Sequence, residues 1–160
     1  MTTLPATRGS YSTVFVDDFA IGVDIGVVQE IIPYQNMTPI PLAPTAVVGL
    51  INLRGSIVAA IDLRERLGLP PRAPEKRPVN VVVRIDDQLV SLLVDAIGDV
   101  VNTTEPYEAV PDTLSGAARR LIVGVHRLDG RLLLVLDPAA AIQVNQPEGT
   151  ARARAAKKDR

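Results

Sequence analysis

Two stretches of this chain repeat each other, and the repeat limits the available folds more than any other feature. With Val14 set on Val83, VFVDDFAIGVDIGVVQEI lies on VRIDDQLVSLLVDAIGDV; with Gly55 set on Gly130, VGLINLRGSIVAAIDL lies on VGVHRLDGRLLLVLDP. In the first pair of blocks both copies place Asp-Asp between apolar runs, and both reach an acid followed by an aliphatic residue, Glu30-Ile31 and Asp99-Val100. The second pair shares Val48/Val123, Gly49/Gly124, Leu53/Leu128, Gly55/Gly130 and Asp62/Asp137. The alignment shifts only within 33–45 and 102–119, irregular segments of the kind that absorb insertions.

Each copy reads as β structure. Tyr11 to Val16 and Phe19 to Val23 flank Asp17-Asp18; Val79 to Ile85 and Leu89 to Val94 flank Asp86-Asp87; Leu121 to Leu128 and Arg131 to Leu136 flank Asp129-Gly130. Short apolar and β-branched runs around such turns predict hairpins. Leu63 to Leu67 and Pro138 to Ile142 predict brief helices. The segment LPPRAPEKRP, with four prolines, cannot be a central strand and predicts a connector. About five strands per copy suit a small barrel. The expectation is a mainly β protein: subdomain one about 11–69, connector 70–78, subdomain two about 79–144, a flexible N-terminus at 1–10 and a flexible basic tail at 145–160.

Composition removes several functions. The chain has 160 residues and no cysteine, which excludes thiolate metal sites, thiol nucleophiles and disulfides. A net charge of −1 gives no broad basic face for nucleic acid. There is no apolar signal region and no apolar run near the length of a membrane span, so no membrane insertion is expected. His126, the one histidine, lies in a predicted strand with no catalytic partner in view, and an outward-facing or satisfied strand histidine is the expectation. No serine sits in a nucleophile elbow, no glycine cluster cradles phosphate, and no ligand spacing suggests a metal. The Asp-Asp pairs read as solvated turns. The basic end, Arg152, Arg154, Lys157, Lys158 and Arg160, has no aromatic residue among its charges and reads as a solvated tail. No enzyme activity and no cofactor is expected.

Arg54 stands out against this background. Gly55 is explained by its turn, but the equivalent of Arg54 in the other copy is Asp129, the residue type hairpin turns favour. A permanently charged side chain in the turn of an otherwise apolar stretch predicts contact chemistry. Val27 to Ile32 is likewise more apolar than one small barrel needs, although most of it is expected to serve a core between the units.

In order and spacing, FAIGVDIGVVQEI, PLAPTAVVGLINLRGSIVAAIDLRERLG and LVSLLVDAIGDVV resemble the CheW chemotaxis coupling family, over about residues 12 to 143. One departure is Ala59-Ala60, where the family often carries proline. The resemblance implies two five-stranded SH3-like barrels packed around a shared hydrophobic core, with few short helices. It implies a non-catalytic, cytoplasmic adaptor recruited to membrane-associated chemoreceptor arrays. Such an adaptor joins the cytoplasmic tip of methyl-accepting chemoreceptors to the regulatory domain of a CheA-type histidine kinase. By matching positions, Glu30, Arg54, Val79 and Val100 would bind receptor, with Glu30 and Arg54 facing each other, and Val28 and Gly49 would serve kinase binding or coupling. Gly49 also has a backbone explanation through Gly124. Competing readings are an adaptor of a non-flagellar pathway serving pilus or surface motility, a tandem-barrel nucleic-acid-binding protein, and a hydrolase built on His126 and the Asp-Asp turns.

Overall fold

The computed structural model describes residues 9–114 and 116–143; the expected basic tail and almost all of the expected flexible N-terminus lie outside them. Ten strands and three short helices follow in order: β1 (Gly9–Val16), β2 (Phe19–Asp24), β3 (Val28–Ile32), β4 (Val47–Leu53), β5 (Ser56–Asp62), α1 (Leu63–Arg66), β6 (Val79–Ile85), β7 (Gln88–Val94), β8 (Ala96–Thr103), α2 (Gly116–Leu121), β9 (Ile122–Leu128), β10 (Arg131–Leu136) and α3 (Pro138–Ala141). The three expected hairpins form around their turns, as do both expected helices. Asp62 and Asp137, matched in the repeat, cap α1 and α3 through their carboxylates. One helix was not anticipated. Leu121, expected to open a strand, instead ends α2, where Ala118 and Leu121 turn one small apolar face inward.

The two five-stranded sheets run β8-β1-β2-β10-β9 and β3-β6-β7-β5-β4. They do not follow the expected division of the chain at the connector. The β1–β2 hairpin lies between β8 and β10, and the β6–β7 hairpin lies between β3 and β5. Each half of the chain therefore lends its first hairpin to the other half's sheet, and the two sheet orders are the same once repeat-equivalent strands are exchanged. The physical reason is burial. Val81, Val83, Val90 and Leu92 of one hairpin and Val14, Val16, Ile21 and Val23 of the other form a single buried cluster with Ile61, Leu121, Val125 and Leu134. Exchanging hairpins covers both apolar faces at once, which neither half could do alone.

The repeat extends to irregularities. Gln29 is an extra residue in β3, since Val28 pairs with Val83 while Glu30 pairs with Val82; the equivalent stretch of β8 bulges between Ile97 and Val100. Val48 bulges out of β4 and Val123 out of β9. Bulges bend the edge strands and help each sheet curl. Inside the curls lie smaller clusters, Tyr11, Ala20, Leu133 and Val135 in one sheet and Ile51, Leu53, Val58 and Val82 in the other. This is the expected architecture of two small barrels around a shared core.

Candidate functional site

The β4–β5 loop has two residues, Arg54 and Gly55, because Leu53 pairs with Ser56. Both take positive φ, 50° and 90°, as a type I′ loop requires. Gly55 adopts this freely. Its N–H is also held by Asn52 Oδ1 at 2.9 Å, which fixes the turn from the strand side. Arg54 has no such ease, and the repeat sharpens the point: at Asp129-Gly130 only the glycine takes positive φ. Aspartate does take the left-handed conformation in the other two hairpins, at Asp17, Asp86 and Asp87, but not at Asp129. The strained position is occupied by the arginine.

What Arg54 meets there is Glu30. Its guanidinium donates to both carboxylate oxygens, Nη1 to Oε2 at 3.1 Å and Nη2 to Oε1. Arg54 keeps 69% of its side chain exposed and Glu30 26%. The two-point hydrogen bond holds the Glu30 carboxyl below its ordinary range, against a smaller upward push from partial burial, and raises Arg54 correspondingly. Glu30 lies on β3 and Arg54 beside β4, the two edges of a five-strand sheet. The pair joins those edges directly. A second tie runs between Thr38 and Leu50, whose backbones exchange hydrogen bonds of 2.9 and 2.8 Å and lay the β3–β4 connection against β4.

Gly49 sits under that tie. A Cβ at this position would stand 2.7 Å from the Thr38 carbonyl oxygen and 3.1 Å from Met37 Cβ. Gly124 is in the same situation beneath Tyr107 and Glu108, where Glu108 and Val125 form the equivalent bridge. Both glycines are buried, so backbone crossing explains them and neither presents a side chain to a partner.

The remaining candidates are spread more widely. Val28 is half-buried against the shared core opposite Val83, and Val79 packs on the same core opposite Val94. Val79 is three residues along β6 from Val82, the partner of Glu30, or about 10 Å at ordinary strand rise. Val100 belongs to the other sheet, on edge strand β8, and is 57% exposed. Its repeat equivalent Ile31, next to Glu30, is exposed as well. The structure therefore joins Glu30 to Arg54 directly, sets Val79 on a neighbouring strand, and carries Val100 on a different sheet.

Sequence reasoning missed a charged network beside the connector. Asp95 accepts from Arg64 Nη1 at 2.7 Å, Arg72 Nε at 2.8 Å and the Asp17 backbone N–H at 2.7 Å. Arg72 also reaches Asp62 at 3.4 Å, and Arg64 lies 3.6 Å from Asp17. Burial pushes the Asp95 carboxyl up, but the Asp17 amide and the two guanidiniums more than reverse this and leave it below its ordinary value. Asp17 is consequently more than a solvated turn residue. The repeat gave no sign of it, since Asp95 falls where the first copy has Gly26.

His126 departs from its expectation. It is buried in the β8-β1-β2-β10-β9 barrel between Tyr11 and Tyr107, with ring centroids 5.6 and 6.1 Å away, and its Nε2 has no hydrogen-bond partner. Burial lowers its pKa, partly offset by Glu108. A neutral ring enclosed by aromatics has no general-base geometry. Among the described residues no cluster of His, Asp and Glu could hold a metal ion, and no helix is long and apolar enough to cross a membrane.

Comparison with known proteins gives the same family from sequence and from fold. The CheW-like domain model matches residues 10–146. The chain is similar to the chemotaxis protein CheW of Rhizobium meliloti, 34% identical over 76% of this chain and 79% of that protein. It is 32% identical to a probable chemotaxis protein CheW of Rhizobium etli, over 83% of this chain and 86% of the relative. The crystal structure of the scaffolding protein TtCheW from Thermoanaerobacter tengcongensis superposes with a TM-score of 0.77 at 27% identity, covering 88% of this chain and 97% of that one. Twin composite barrels, bulges repeated in both and an arginine turn on one only are features of a chain that belongs to the CheW family of chemotaxis coupling proteins.

Proposed function

We propose that this protein is a non-catalytic, cytoplasmic adaptor that couples methyl-accepting chemoreceptors to the regulatory domain of a CheA-type histidine kinase at receptor arrays. The observation that carries this reading is Arg54: held in a left-handed turn, mostly exposed, and aimed at Glu30 by a two-point hydrogen bond. A fold selected for stability alone gains nothing from a bulky cation at that backbone conformation. A surface that must present a fixed charged fork does gain from it. Glu30, Arg54, Val79 and Val100 form the receptor side of this reading. Val28 serves kinase coupling through its place against the shared core, and Gly49 does so by letting the β3–β4 connection lie close. Signal passes through the relative placement of partners, with weak contacts reinforced by raised effective concentration in an extended assembly.

The test is Arg54→Asn in an assembly of receptor-bearing membranes and a CheA-type kinase. Asparagine accepts positive φ more readily than arginine, so the melting temperature should hold or rise while receptor control of the kinase is lost. A fall in melting temperature in step with activity would show Arg54 to be structural and overturn the assignment. The exchanged pair, Glu30→Arg with Arg54→Glu, should recover more control than either single change.

A further inference from the structure

We infer that a second copy of this chain can complete both barrels, giving an interlocked dimer in which the halves before and after the connector are exchanged. The two sheets are already composite. Every sheet bond between halves, β1 to β8, β2 to β10, β3 to β6 and β5 to β7, joins strands lying on opposite sides of the connector. A second copy offers the same strands in the same register, so each of these pairings re-forms identically between chains. The shared core draws on both halves and is likewise indifferent to which chain supplies them. Only the connector distinguishes the two closures. Such exchange is a low-cost route to a dimer because it creates no new interface chemistry.

The connector is built as a pinned hinge. Lys76 N–H donates to the Ala73 carbonyl at 2.9 Å, closing a turn at Ala73-Pro74-Glu75-Lys76 whose residues are all exposed. Before the turn Arg72 is tied to Asp62 and Asp95; after it Arg77 stacks on Tyr34, 4.8 Å from the ring centroid. These contacts favour closure within one chain. Opening the turn releases an extended, proline-stiffened segment of about 3 Å per residue, long enough to reach a neighbouring body. In the exchanged dimer Glu30 and Arg54 stay together, since both precede the connector. Val79 and Val100 are then supplied by the other chain. Resting on the coupling function proposed above, the dimer would be a two-headed adaptor with each partner surface present twice.

The absence of cysteine makes the test direct. Ser10 and Asn102 are register partners across β1 and β8, with their side chains hydrogen-bonded. Full-length Ser10→Cys with Asn102→Cys is refolded from denaturant at rising protein concentration, oxidised after folding, and read by light scattering and non-reducing gels. We expect a species of twice the 17.1 kDa chain mass whose share grows with refolding concentration, persists on dilution, and carries the disulfide between chains. The same measurement is made with residues 73–76 deleted. There Arg72 is joined to Arg77, which the following Pro78 holds extended, so the reversal is lost and the dimer should dominate at every concentration. A dimer with its disulfide within each chain would mean side-by-side association and overturn the inference. So would monomer alone from the intact chain at all concentrations, a result that decides the matter even if the deletion fails to fold. None of these readings depends on chemoreceptor or kinase, so failure here is distinct from failure of the proposed function.

Discussion

Gly49→Ala separates a backbone role from a surface role at a position the coupling reading assigns to kinase control. The new Cβ would lie 2.7 Å from the Thr38 carbonyl oxygen and 3.1 Å from its carbonyl carbon. Ordinary van der Waals contact begins several tenths of an ångström further out, and the obstacle is backbone, which cannot rotate aside. The β3–β4 connection must withdraw, stretching or breaking the paired Thr38–Leu50 hydrogen bonds of 2.9 and 2.8 Å. Two such bonds are worth about 1–3 kcal/mol together, and over-packing adds about 1–3 kcal/mol where the strand itself yields. These are alternative routes of relaxation, so they are not summed. The reduced freedom of the unfolded chain returns about 0.4–1 kcal/mol. The net expectation is about 1–2 kcal/mol of destabilisation, or about 2–8 °C in melting temperature for a chain of this size. Gly124→Ala, under the equivalent bridge, should fall by a similar amount. Thermal unfolding followed by circular dichroism reads both, with kinase binding measured well below the transition. Gly49→Ala with an unchanged melting temperature and lost kinase binding would refute the reasoning, because the effect would then arise at the surface.

Other perturbations test the buried polar groups. Ser91→Ala leaves Asn80 Oδ1, now 2.7 Å from the serine hydroxyl, unpaired in a fully buried site, and should cost about 1–3 kcal/mol in denaturant unfolding. Asp95→Asn should destabilise at neutral pH and flatten the acid limb of the stability curve. Because the folded carboxyl titrates below its ordinary 3.8, its contribution is present above that value and is lost as pH falls through the lower folded one. His126 has the opposite charge logic. Its folded pKa is depressed from 6.5 by burial, so the unfolded chain takes the proton first and stability falls as pH drops below about 6.5. His126→Phe should remove that slope between pH 7 and 5 in unfolding titrations while leaving receptor control of the kinase intact.

Local order was legible because its signals are local. Asp-Asp and Asp-Gly between apolar runs announced the hairpins, and the short stretches Leu63 to Leu67 and Pro138 to Ile142 announced two of the helices. The exchange of hairpins was hidden, since a repeated pattern records which strands are alike and says nothing about which copy each will join. That choice is made by burial of two apolar faces across long sequence separations. Glu30 and Arg54 were brought together through family resemblance, and spacing alone could not have paired residues on opposite edges of a sheet. The Asp95 network was invisible for a related reason: Arg72 lies in a segment that reads only as a proline-rich connector, and its partners come from β5 and the β7–β8 junction.

The duplication also bears on why one barrel and not the other carries the arginine. Where the second barrel has the equivalents of Glu30 and Arg54 it has Asp99 and Asp129, two acids that would repel rather than join the sheet edges. Its crossing segment is fastened instead by Arg127, which donates to both oxygens of Glu108 at 3.0 and 3.1 Å. Arg127 is the equivalent of Asn52, the residue that in the first barrel holds the Gly55 N–H. The two copies therefore keep the same strand order, the same bulges and the same capped helices, and differ in the polar residues at the open edges. Backbone geometry shared by both barrels cannot tell one partner from another. The side chains that break the likeness can, and under the proposed coupling function Arg54, held at positive φ and tied to Glu30, is the one that does so.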